Sequence, residues 1–150
     1  MKQSTGITKN NIAVFISGRG SNLKSLIKYS KLKKSKFKIK LVVSSKKEAK
    51  GLLYAKKSKI NYFVSNNKTK KNNEKKILLL LKQKKIKIIC LAGYMKILSS
   101  NFINRFKGKI VNIHPSLLPK YKGLNTHKRA IENGEKFSGC TVHFVNSKLD

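Results

Sequence analysis

Six short apolar runs, separated by Lys-rich stretches with helical spacing, limit what this chain can fold into. The runs are "NIAVFISG" (11–18), "FKIKLVVSS" (37–45), "INYFVS" (60–65), "IKIICLAG" (86–93), "KIVNIH" (109–114) and "CTVHFVN" (140–146). Their length and their Ile and Val content predict strands. Between them lie "SNLKSLIKYSKLKK", "KKEAKGLLYAKK", "NNEKKILLLLKQKK", "SSNFINRFK" and "THKRAIENG", which predict helices. Strand alternating with helix predicts a doubly wound, mostly parallel α/β sheet with helices on both faces. The first and fourth runs are continuously apolar, as strands covered on both faces should be. The Lys-Asn stretch "NNKTKKNNEKK" (66–76) reads as a solvated loop leading into a helix.

A length of 150 residues suits one domain. Residues 1–10 are polar and read as an extension, leaving 11–150 as the domain. "IAVFIS" is too short for a signal-peptide core, and no run approaches a membrane span, so a cytoplasmic protein is expected. The charge is extreme, with 36 Lys+Arg against 5 Asp+Glu and a formal net charge of +31. That balance raises the reading of a basic nucleic-acid-binding domain. Against it, Arg occurs only at Arg19, Arg105 and Arg129, and the Lys are spread over every polar face. Ile and Asn are plentiful too, so AT-rich coding explains the Lys without a selected surface. Cys90 and Cys140 sit in apolar runs without metal-ligand spacing. They are expected to be small buried hydrophobes, and no metal is expected.

"SGRGSNL" follows the first predicted strand and opens the first predicted helix. Gly18 and Gly20 can take positive φ there and let the backbone approach a ligand. The free N–H groups of the helix start favour an anion, and Ser21 and Asn22 add side-chain donors. A tight turn capped by Ser21 or Asn22 needs the same residue types. Leu23 stands where a dinucleotide fingerprint has its third glycine, and no Gly-Lys-Ser/Thr follows, which excludes a P-loop.

"KIVNIHPSLLPKYKG" puts Asn112 and His114 two apart at the carboxyl end of a predicted strand, on one face. Ligands of open α/β sheets bind outside those strand ends. An amide donor beside an imidazole suits an oxyanion developing at a carbonyl-type carbon. From position alone, a lone His at a strand end reads first as a hydrogen-bonded structural residue. His143, alternating with Val142 and Phe144, would face the same cleft and reads as structural; His127 falls near a helix start and has no assigned role.

"NIHPSLLPKYKGLNTHKRAIENG", with "LAGYMKILS" before it, "TVHFVNSKLD" after it and the Ile-Ser-Gly-x-Gly-Ser-Asn-Leu turn, closely resembles the glycinamide ribonucleotide formyltransferases of purine synthesis. The resemblance runs in order from about Asn11 to Asp150. Other folate formyl-handling enzymes, methionyl-tRNA formyltransferase and formyltetrahydrofolate deformylase, share Asn-x-His and a Leu-Pro loop. They are the alternative readings within the family, and an inactive ligand-binding relic is a further one. The resemblance implies a Rossmann-like formyltransferase fold. It also implies 10-formyltetrahydrofolate as co-substrate, small-molecule substrates as partners, and no specific nucleic acid or membrane partner. Asn112 would bond the formyl oxygen, His114 would stabilise the oxyanion, and Asp150 would keep His114 charged and order a water. Gly20, Ser21 and Asn22 would hold the ribonucleotide phosphate. Met95, Lys96, Ile97 and Leu98, with Lys70 and Asn112, would line the folate pocket. Lys96 departs from the family pattern, which has Arg there, so the charge stays and the planar fork is lost. The pattern continues past the aspartate into a further strand and helix, so a fragment lacking that part of the fold is expected.

Overall fold

The computed structural model describes residues 8–65 and 70–146. Six strands form one sheet: β1 (Asn10–Ile16), β2 (Phe37–Ser44), β3 (Tyr62–Val64), β4 (Ile88–Leu91), β5 (Lys109–His114) and β6 (Thr141–Phe144). Their order is β3-β2-β1-β4-β5-β6, parallel except for β6, which runs antiparallel to β5. The helices are α1 (Ser21–Ser30), α2 (Gly51–Lys57), α3 (Lys70–Gln83), α4 (Ser100–Arg105) and α5 (Thr126–Glu132). The mostly parallel, doubly wound sheet expected from the sequence is therefore present.

Alternate residues of the strands feed two cores. Ile12, Val14, Ile16 and Val42 pack with Leu23 and Ile27 of α1 and Leu52 and Ala55 of α2. Ala13, Phe15, Leu41, Val43, Ile89, Leu91 and Ile110 pack with Ile77 and Leu81 of α3 and Phe102 of α4. Full burial of each large side chain contributes roughly 1.5–3 kcal/mol. That burial explains why β1 reads as a continuous apolar run, while β2 is continuously apolar only from Leu41 to Val43.

Several elements are shorter than predicted. α1 ends at Ser30, ahead of the turn at 31–34, and α2 starts only at Gly51. α3 starts at Lys70, so 70–76 is helix rather than loop. Ser99 caps α4, accepting from the Phe102 N–H at 3.0 Å, and Glu74 of α3 in turn accepts from the Ser99 N–H and hydroxyl. Cys90 is half-buried, and its burial pushes the thiol's pKa up. Cys140 is exposed, against expectation, because it precedes the sheet's edge strand. No described helix is long and apolar enough to cross a membrane.

Candidate active site

The strand order reverses between β1 and β4, the point outside whose carboxyl ends open α/β sheets bind ligands. Ser17, just past β1, draws the loops together. Its hydroxyl accepts from the Met95 N–H at 2.8 Å and shares a hydrogen bond with the Ser45 hydroxyl beyond β2. Both hydroxyls are buried. The turn after β1 and the segment after β4 are thus tied through one side chain.

Gly20 is the N-cap of α1, left-handed at φ 76°, and no side chain caps the helix. Neither Ser21 nor Asn22 does the capping that the plainer reading of this turn required, and both side chains are exposed. A Cβ on Gly20 would fall 2.5 Å from the Gly51 Cα, so this glycine also permits α1 and α2 to meet. Of the two glycines that could take positive φ, only Gly20 does; Gly18 is not left-handed and has open space around it.

Ile110, Asn112 and His114 share one face of β5, because Ile110 belongs to the core beneath α3 and α4 and side chains two apart point the same way. In register on β6, Asn112 faces His143 and His114 faces Thr141. Asn112 Nδ2 lies 3.2 Å from His143 Nε2, and His143 Nδ1 lies 3.1 Å from the Phe144 carbonyl. A carbonyl only accepts, so the neutral ring carries its proton on Nδ1 and Nε2 accepts from the amide. His143 thereby turns the Asn112 NH₂ toward β6. His114 is buried and its Nε2 donates to the Tyr121 carbonyl at 3.0 Å. The loop after β5 is fastened to β6 by Thr141, whose hydroxyl accepts from the Leu118 N–H and donates to the Ser116 carbonyl.

The formyl transferase family pattern matches residues 10–150. The chain belongs to the formyl transferase family. Phosphoribosylglycinamide formyltransferase of Haemophilus influenzae is 49% identical over 93% of this chain and 67% of its own length. The human trifunctional purine biosynthetic protein adenosine-3 is 45% identical over 95% of this chain, which spans only 14% of that protein. The crystal structure of phosphoribosylglycinamide formyltransferase from Brucella melitensis superposes with a TM-score of 0.87 at 45% identity, covering 92% of this chain and 73% of that one.

Within this formyl transferase family member, the residues expected around folate differ in exposure. Met95 and Ile97 are exposed, at 69% and 66%, whereas Leu98 is part of the core. Lys96 Nζ reaches the Ser65 hydroxyl at 3.5 Å, and Lys70 opens α3 with an exposed side chain. Tyr94 packs edge-on against Phe15, and burial raises its pKa. Asp150 lies outside the described residues. Among the described residues no cluster of His, Cys, Asp and Glu forms a metal site. Ser17, Thr141 and the positioning contact of His143 escaped sequence reasoning. Only the spacing of Thr141 and His143, two apart in "TVHF", hinted that both face β5.

Proposed function

We propose that the protein transfers the formyl group of 10-formyltetrahydrofolate to the primary amine of glycinamide ribonucleotide, a step of purine biosynthesis in the cytoplasm. The observation that carries this reading is Asn112 beside His114 on one face, at the carboxyl end of β5.

Each residue then has work suited to its chemistry. The uncapped start of α1, with the exposed donors of Ser21 and Asn22, receives the ribonucleotide phosphate. Met95 and Ile97 offer apolar surface to the flat pterin, and Lys70 and Lys96 offer cations to the acidic tail of the folate. Leu98 supports that surface from the core. Asn112 donates to the formyl oxygen as the amine attacks the formyl carbon. The proton on His114 Nε2 turns from the Tyr121 carbonyl to the developing oxyanion, a stronger acceptor. The new N–C bond persists, the bond from carbon to the folate nitrogen breaks, and the proton lost by the amine ends on that nitrogen. Asp150 is assigned the task of holding His114 charged and relaying that proton through a water.

The test supplies 10-formyltetrahydrofolate with three acceptors in turn: glycinamide ribonucleotide, methionyl-tRNA and water alone. Formylation of the ribonucleotide is expected. Formate release without any formylated ribonucleotide would assign the protein to deformylation instead, and formylated methionyl-tRNA to the tRNA-directed branch.

A further inference from the structure

Glu135 is one of only 5 acidic residues in a chain of net charge +31, and it sits beyond α5. Its Oε1 accepts from the Tyr121 hydroxyl at 2.9 Å and from Lys120 Nζ at 2.8 Å. Lys120, and then the Tyr121 hydroxyl, hold the Glu135 carboxyl below the usual carboxylate range. Two further groups fix the same tyrosine. Asn133 Nδ2 donates to its hydroxyl at 3.2 Å, and the Arg129 guanidinium lies 5.3 Å from the centre of its ring. Arg129 also donates to the neighbouring Lys122 carbonyl at 2.7 Å.

These anchors hold Tyr121 in a conformation that its own backbone disfavours. Its φ is 54°, the left-handed region where a Cβ crowds the following carbonyl. That peptide aims its carbonyl back into the fold, where it accepts from His114 Nε2 at 3.0 Å and from the Ser116 hydroxyl at 3.3 Å. One residue thus has its side chain locked at the surface and its carbonyl on the buried imidazole. We propose that Glu135 is a positioning residue for His114, acting through the Tyr121 side chain and peptide. The catalytic meaning of this contact rests on the transferase reading above. The chain of contacts orients the ring and holds a proton on Nε2, since a carbonyl there can only accept.

The test is nitrogen NMR of the His114 ring in the whole protein, with steady-state kinetics beside it. In the wild type the proton sits on Nε2 and exchanges slowly. Glu135→Ala and Tyr121→Phe are expected to speed exchange of the Nε2 proton and lower kcat by about tenfold each, with KM little changed. Glu135→Gln retains an oxygen that accepts the tyrosine hydroxyl and restores both readouts. Lys120→Met removes only the ion pair and leaves both at the wild-type level. An unchanged ring in Glu135→Ala overturns the proposal, as does equal loss in the Ala and Gln variants, or an altered ring at unchanged kcat. The ring measurement needs no turnover. Absence of formyl transfer in the wild type would therefore remove the transferase reading and leave the positioning claim decided on its own.

Discussion

The two sides of the sheet are held by different forces. Around β1 and β2, Val14, Phe15, Ile16, Val42 and Val43 have no exposed surface, and helices cover both faces. Around β5 and β6, buried His114 is held by hydrogen bonds to loop backbone, while Val142 and Phe144 are 64% and 66% exposed. Dispersion and water exclusion fix the first region whatever the exact side chains. Directional hydrogen bonds and left-handed residues, Tyr121 and Asn125, fix the second. The contrast teaches why the proposed chemistry is assigned to one side: a polar, individually anchored strand end can present donors, and a sealed core cannot.

Breaking the sealed side should cost the most stability. Phe15→Ala removes a ring that meets both Tyr94 and Phe102, and a loss of about 3–5 kcal/mol in denaturant unfolding is expected. Gly20→Ala forces a left-handed Ala against the Gly51 backbone and should cost about 1–3 kcal/mol. It should also weaken glycinamide ribonucleotide binding, read as a raised KM. Ser99→Ala removes the cap of α4 and strands Glu74, with about 1 kcal/mol lost and KM unchanged.

The smallest effect concerns charge on the polar side. The Glu135 carboxyl is held low by its partners, so its charge stabilises the fold fully above its unfolded value of 4.5. That contribution fades as pH falls through the lowered folded value. The gap in thermal midpoint between wild type and Glu135→Gln should therefore close as pH drops below 4.5. A gap that persists unchanged in acid would mean that the charge of Glu135 is not what separates the two proteins.

Legibility in the sequence follows the same division. β1 announced itself because burial on both faces leaves an apolar run with little interruption, IAVFI within the strand. Asn112 and His114 were legible as a pair because the strand period puts residues two apart on one face. Their partners were not. The tyrosine carbonyl that receives His114 Nε2 is backbone, which no residue type records, and it depends on a left-handed Tyr121 that sequence gives no reason to expect. Glu135 is likewise brought to Tyr121 only by the turn after α5, where the Glu135 N–H bonds the Ala130 carbonyl. The exposure of Cys140 was misjudged because an apolar neighbourhood in sequence becomes a sheet edge in space.

The central claim is that β5 supplies the transfer chemistry while the rest of the sheet supplies the scaffold. The most direct test measures formyl transfer to glycinamide ribonucleotide by Asn112→Ala and His114→Ala, each checked for an intact fold by circular dichroism. The account predicts a folded protein in both cases and a rate lowered by about two to three orders of magnitude. Wild-type turnover in either folded variant would contradict it.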